Sequence, residues 1–268
     1  MSLEHSCREF RPTVLAPTGP LIVPAVIAEP GQPELSLVVP TLNEAENIAD
    51  FLAAVRRTLD ACLPGRYEVI VVDDDSADGT GVIAAGLMES FPQLRVVSRH
   101  QEAGLAAAVI RGWQLSRGRT LGTINADFQH PPAVLATMWE RHTGSLTVAT
   151  RHSDGGGLGD WGVRRRILSW GANRIGRCLL PEACARVSDP LSGCYLLRRE
   201  VIAGIELRPL GYKSLLEILV RGNVREIHEC GYQMHERERG YSKVRALQPL
   251  QYLRHMLRLR AAARERKT

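Results

Sequence analysis

Carboxylates crowd one short stretch of this chain. Asp73, Asp74, Asp75 and Asp78 fall within Val72-Asp-Asp-Asp-Ser-Ala-Asp-Gly-Thr80, at the end of a β-branched run. Such a cluster repels a bare phosphate but suits hydrogen bonds to a nucleoside base or ribose, or a cation. Capping of the next helix accounts for one such acid but does not need four. A second stretch, Asn125-Ala-Asp-Phe-Gln-His-Pro-Pro132, places Asp127 and Gln129 two residues apart. Both offer the hard oxygen donors that Mg2+ or Mn2+ prefers, with positions left for a diphosphate and water. His130 reads either as a further ligand or as a structural residue. A third stretch, Pro40-Thr-Leu-Asn-Glu44, reads as a turn and helix cap. Rival chemistries lack their motifs. No G-x-G-x-x-G follows a strand, and there is no G-x-x-x-x-G-K-[ST] and no G-x-S-x-G elbow.

The elements that position these residues follow from hydrophobic period. Leu35-Ser-Leu-Val-Val39 is an apolar strand ended by Pro40, and Ile48, Leu52, Val55 and Leu59 recur at helical spacing, which predicts a helix over 44–61. Further strands are predicted over 67–72, 94–97, 120–124 and 146–149. Helices fall between them: one after Gly79, one over 104–116, and one over 131–142 that opens on proline. This beat predicts an α/β fold with a mostly parallel central sheet and helices on both faces. In such sheets ligands bind beyond the carboxyl ends of the strands, where all three stretches lie. Past residue 150 the beat breaks. A glycine loop at 155–157 leads to a helix over 163–180 with Arg164, Arg165 and Arg166 at its start. A strand over 192–197, a helix over 213–220, an extended stretch over 224–235 and an Arg-rich helix over 246–266 follow.

The 34 Lys and Arg against 29 Asp and Glu leave a net charge of +5, which permits an anionic ligand or membrane surface without calling for nucleic acid. None of the six cysteines forms a C-x-x-C pair, which argues against a zinc ribbon or thioredoxin-like site and for reduced thiols. No apolar run approaches the roughly 18–20 residues of a spanning helix. The best, 21–28, is broken by Pro24, and no secretory signal stands at the start. This predicts a cytoplasmic protein whose membrane contact is peripheral. Six prolines in residues 1–33 predict a mobile leader outside the fold, followed by a domain over 34–244 and a basic amphipathic C-terminal helix over 245–268. Arg254, Arg258 and Arg260, with Leu253 and Leu257 between, suit a helix lying on anionic lipid or a solvated helix packing its leucines on the domain.

Seven collinear pieces carry a resemblance: PTLNE at 40–44, VVDDDSADGT at 71–80, GLAAAVIRG at 104–112, NADFQHPP at 125–132, SDPLSGCYLLRRE at 188–200, GYKSLLEILVRG at 211–222 and RERGYSK at 237–243. Together they resemble glycosyltransferase family 2, with its GT-A nucleotide-diphospho-sugar fold, and within it the polyprenol-phosphate (dolichol-phosphate) mannosyltransferases. The resemblance implies metal-dependent, inverting transfer of a hexose, mannose from GDP-mannose, to a polyprenyl monophosphate. UDP-glucose as donor and a catalytically silent nucleotide-sugar-binding subunit stand as alternatives. It also implies contact with the cytoplasmic face of a membrane, either directly or through a small membrane-anchoring subunit.

Carried over residue by residue, the resemblance puts Pro40, Leu42 and Glu44 in the first donor motif and Val72 and Asp74 at the nucleoside. Asn125 and Ala126 lie beside the donor diphosphate, and Asp127 and Gln129 match the ligands of Mg2+ or Mn2+. Arg237 and Lys243 match basic residues of a loop that closes on the donor. Arg151, Arg165 and Ser169 match the cradle for the acceptor phosphate. Two positions depart from the pattern: Leu42 replaces an aromatic, and Asn125 replaces an aspartate, removing one charge beside the metal.

Overall fold

The chain enters its fold earlier than the prolines suggest. The computed structural model describes residues 14–25, 29–100, 104–153, 155–157, 171, 173–235 and 248–265. Within the stretch expected to be a loose leader, β1 (Val14–Leu15) and β2 (Leu21–Ile22) are formed, and Val23 is fully buried. A proline-rich segment has few N–H donors, so its carbonyls must be met by donors from elsewhere. Arg111 Nη2 donates to Gly19 O (2.7 Å), Gln114 Nε2 to Pro20 O (2.9 Å) and Ile22 O (3.0 Å), and Arg199 Nη1 to Pro24 O (3.2 Å). Residues 14–25 therefore belong to the domain.

The predicted alternation follows: β3 (Leu35–Thr41), α1 (Ile48–Cys62), β4 (Tyr67–Asp73), α2 (Thr80–Gly86), β5 (Leu94–Ser98), α3 (Leu105–Leu115), β6 (Thr120–Thr123), α4 (Val134–Glu140) and β7 (Leu146–Thr150). After it come helical turns at 173–179, α5 (Pro181–Ala185), β8 (Tyr195–Arg198), β9 (Glu206–Leu207), α6 (Ser214–Arg221), β10 (Ile227–Gly231) and α7 (Gln248–Glu265). The main sheet runs β1-β5-β4-β3-β6-β8-β7-β10, and β2 pairs with β9 apart from it. All neighbours in the main sheet are parallel except β8, which is antiparallel to both β6 and β7.

Alternating strand side chains build two cores. Leu35, Leu37 and Val39 of β3, with Val69 and Val71 of β4, pack with Phe51, Leu52 and Val55 of α1. Val38, Ile70 and Val72 point the other way, into a layer with Trp113 of α3, Leu215 of α6 and Met256 of α7. On α7 the inner face buries Tyr252, His255, Met256, Leu259 and Ala262, whereas Leu250, Leu253 and Leu257 are exposed. The leucines expected to pack on the domain or on lipid thus face outward. None of the described helices is long and apolar enough to cross a membrane.

Full burial of a valine side chain is worth about 1.5–3 kcal/mol. Deleting residues 1–25 should therefore lower unfolding stability by at least about 2 kcal/mol in urea titration. An unchanged midpoint would return this segment to the status of a leader.

Candidate active site

The turns after β3 and β4 are knitted together by reciprocal hydrogen bonds. Register sets Thr41 opposite Asp73, and Thr41 Oγ1 donates to Asp73 Oδ1 (2.8 Å). Asn43 N donates to Ser76 Oγ (2.8 Å), Ala77 N to Asn43 Oδ1 (3.0 Å), Glu44 N to Thr80 Oγ1 (2.8 Å) and Ala45 N to Asp78 Oδ2 (2.9 Å). The four acids therefore divide. Asp73 also accepts from Ser76 N and Oγ, and Asp78 caps Thr80, so both are scaffold. Asp75 is exposed, 3.0 Å from His100 Nδ1. Asp74 is held in a forked pair by Arg99, with Nε to Oδ1 at 2.6 Å and Nη2 to Oδ2 at 2.5 Å. Burial pushes the Asp74 carboxyl up, and the guanidinium opposes that shift. Arg99 escaped sequence reasoning because its partner lies on another strand.

Pro40 and Val72 face each other across the β3–β4 ladder, both buried, and Leu42 is half-buried beyond them. Glu44 is buried and accepts from Asn47 Nδ2 (2.9 Å) at the start of α1. Pro40 has no N–H to give to β6, and pairing between β3 and β6 stops at Val38–Thr123. The chain is then free to turn over 125–130.

That second turn is built around Phe128. It adopts φ 54°, a region costly for a bulky residue, and its ring packs edge-on against Phe51 at 5.2 Å. The other two non-glycine residues with positive φ among those described, Asn43 and Asp75, lie in the turns just described. Asp127, Gln129 and His130 are buried, and Ala126 with them. Asp127 Oδ1 accepts from Gln129 N (3.2 Å). Asn125 Oδ1 and Gln129 Nε2 are buried with no hydrogen-bond partner among the described residues. Of these two atoms only Asn125 Oδ1 is an oxygen acceptor, and an acceptor left without a partner among the described residues, two positions from the Asp127 carboxylate, fits an oxygen-preferring cation. No cluster of three or more His, Cys, Asp or Glu stands among the described residues. His130 stacks on Tyr232 at 4.8 Å, and burial pushes its imidazole down to about 4, which leaves it neutral.

A third turn, absent from the sequence argument as a site, lies between these residues and Arg151. Because β8 runs antiparallel, the loop before it, 188–194, reaches the carboxyl ends of β6 and β7. Gly193 lies against Asn125, where an added Cβ would come 2.9 Å from Nδ2. Asp189 grips Arg151 in a fork, with Nε to Oδ2 at 2.7 Å and Nη2 to Oδ1 at 2.9 Å. Burial alone would push the Asp189 carboxyl up, but the guanidinium outweighs it and holds the group below its ordinary value. Arg165, Ser169, Arg237 and Lys243 lie outside the described residues.

Breaking a buried pair on one side costs about 3–5 kcal/mol. Asp189→Asn should lose about 3 kcal/mol of stability at neutral pH. A carboxyl held low in the fold stabilises fully above the unfolded value near pH 4 and loses that contribution as pH falls through the folded value. The wild-type protein should therefore lose stability as pH falls below about 4 more steeply than Asp189→Asn in urea titrations.

Comparison with known proteins agrees with this geometry. Residues 36–205 match the family model Glycosyl transferase family 2. The chain is 36% identical over 228 residues to a dolichol-phosphate mannosyltransferase of Pyrococcus furiosus, covering 84% of this chain and 63% of that protein. This chain thus spans less than two thirds of that relative's length. It is 34% identical over 219 residues to the polyprenol monophosphomannose synthase of Mycolicibacterium smegmatis, covering 78% and 80%. Among solved structures, mannosyl-3-phosphoglycerate synthase from Rubrobacter xylanophilus aligns with a TM-score of 0.58 at 22% identity, covering 87% and 75%. Glucosyl-3-phosphoglycerate synthase from Mycobacterium tuberculosis, in complex with Mn2+, UDP and glucosyl-3-phosphoglycerate, aligns with 0.57 at 23%, covering 85% and 78%. These two share the GT-A fold. With more than half its length under the family model and its strand-end turns assembled on that fold, the chain belongs to glycosyl transferase family 2 and is a glycosyltransferase.

Proposed function

We propose that this chain transfers mannose from GDP-mannose to a polyprenyl monophosphate, with inversion, at the cytoplasmic face of a membrane. One observation carries the reading: the Asp127–Gln129 turn and Arg151 share one sheet edge, with the Asp189–Gly193 turn between them among the described residues. The names of the Pyrococcus and Mycolicibacterium relatives support the lipid acceptor.

In this reading Pro40, Leu42, Glu44, Val72 and Asp74 receive the nucleoside, and Asn125 and Ala126 flank the diphosphate. Asp127 and Gln129 would hold Mg2+ or Mn2+, which when bound neutralises charge growing on the leaving diphosphate. Arg237 and Lys243 add positive charge there. Arg151, Arg165 and Ser169 orient the acceptor phosphate. Arg151 suits this role because Asp189 fixes its plane, and a fixed guanidinium orients oxygens better than a mobile one. A phosphate oxygen attacks the anomeric carbon as the bond to the donor diphosphate breaks. The phosphate is already anionic near neutral pH, its second pKa being about 6, so no strong base is required.

The outer face of α7 supports contact with lipid. Leu250, Leu253 and Leu257 are exposed along it, with exposed Arg254, Arg258, Arg260 and Arg264 on its flanks. A small membrane-anchoring subunit is the alternative occupant of that face. The silent-subunit reading rests on Asn125, and Asn125→Asp tests it: a large gain in turnover would mark an impaired site.

Incubation with GDP-mannose or UDP-glucose and a short polyprenyl phosphate should give lipid product from GDP-mannose, abolished by EDTA. Asp127→Asn should lower turnover by about a hundredfold or more. Product from UDP-glucose alone would replace the donor, and product insensitive to EDTA would remove the metal. Leu253→Glu with Leu257→Glu should weaken co-sedimentation with anionic vesicles about tenfold or more, since each buried leucine is worth about 1.5–3 kcal/mol.

A further inference from the structure

Lys213 stands at the entrance to α6 and has no role in the mechanism above. The chain is fixed on both sides of it. Gly211 turns with φ 80°, a conformation glycine adopts freely, and its carbonyl accepts from Ala106 N at the start of α3 (3.2 Å). Ser214 Oγ meets Tyr195 Oη at 2.6 Å, and both residues are buried. Between these points the Lys213 side chain reaches the turn before β8, where Nζ donates to Leu191 O (2.7 Å). Its own neighbour Tyr212 lies beneath the ammonium at 4.6 Å.

The charges around Lys213 do not balance. Asp189 attracts it, but both oxygens of that carboxylate are engaged by Arg151, whose own charge opposes Lys213. His130 faces it from the β6 turn. Asp189 is thus engaged chiefly by Arg151, and Lys213 has a carbonyl as its hydrogen-bond partner in a partly desolvated place. Burial pushes Lys213 down to about 8, a sign that the ammonium lacks compensation. A single carbonyl bond does not require a charge. An arriving anion would relieve the imbalance and take up donors that Leu191 O leaves unused.

We propose that Lys213 binds the phosphate of the acceptor, as a further cation beside Arg151. The inference rests on the lipid-phosphate reading above. The shared chemistry is a substrate phosphate oxygen, and the donor diphosphate is the other source of one. Steady-state kinetics with GDP-mannose and polyprenyl phosphate distinguish the two. Lys213→Met should raise the KM for polyprenyl phosphate about tenfold, the loss of one charged hydrogen bond, and leave the KM for GDP-mannose within about twofold. Lys213→Arg should restore most of the acceptor affinity. Thermal unfolding of both variants separates these effects from misfolding.

A pH profile gives an independent readout. Between about pH 7.5 and 9 the acceptor phosphate stays dianionic, since its second pKa is about 6. Over that range Asp189 stays deprotonated and Arg151 stays charged, while burial holds Tyr212 above its ordinary value. Wild-type kcat/KM for the acceptor should fall through this window as Lys213 loses its proton, and that of Lys213→Arg should stay flat. An unchanged acceptor KM in Lys213→Met overturns the proposal, as does a raised donor KM in its place. Wild-type protein that makes no lipid product defeats the underlying reading, and the proposal falls with it.

Discussion

One reversed strand determines which turns meet at the carboxyl edge of this sheet. β8 runs antiparallel between β6 and β7, with Tyr195 opposite both Thr123 and Val148. A parallel strand presents the loop that follows it at the carboxyl edge of a sheet. A reversed strand presents the loop that precedes it. Asp189, Leu191 and Gly193 therefore arrive between the Asp127 turn and Arg151. Each holds one neighbour: Gly193 admits Asn125, Asp189 fixes Arg151, and Leu191 receives Lys213. Were β8 parallel, that loop would lie at the opposite edge, and Arg151 would lose its forked pair with Asp189.

The same edge concentrates like charges and strained backbone, and the fold absorbs both. Asp73 and Asp78 are spent on hydrogen bonds between adjacent turns, and Arg99 neutralises Asp74. Asn43, Asp75 and Phe128 hold left-handed conformations there. Asn and Asp tolerate that region, but Phe128 needs outside support, which Phe51 supplies from α1. A preorganised edge of this kind loses little when charged ligands arrive, because its dipoles and charges are already oriented.

Much of this was legible in the sequence, for reasons that also explain the misses. Strand and helix periods are local, so β3 to β7 and their helices could be placed from neighbours alone. The helix expected from Glu44 begins at Ile48 because residues 43–47 are drawn into the turn shared with β4. Residues 14–25 were misread because the donors that hold them belong to Arg111, Gln114 and Arg199, far along the chain. The motif holding Asp189 was visible, but its grip on Arg151 spans 38 residues and depends on the direction of β8. Arg99 was hidden likewise, since a charge just past β5 says nothing of an acid 25 residues earlier, just past the neighbouring β4. Periodicity reveals faces, whereas ion pairs depend on register and strand direction.

The C-terminal helix joins these arguments. Its inner face is fixed to α6 by a buried pair, His255 Nε2 to Glu217 Oε1 at 2.9 Å, and by Tyr252, Met256 and Leu259. Its outer face carries the exposed leucines. α6 in turn begins one residue after Lys213, where Ser214 is tied to Tyr195 of β8. A polyprenyl phosphate has its chain in lipid and its reactive oxygen at the surface, so an enzyme acting on it must hold its lipid contact and its phosphate contact at a fixed separation. Two helices packed through a buried pair meet that requirement better than a linker, because packed side chains shift between discrete arrangements and do not stretch. On the proposed reading, the reversed strand, the cation at the head of α6 and the leucine face of α7 form one rigid unit, and the site for the acceptor headgroup is set by how deeply α7 sits in the membrane surface.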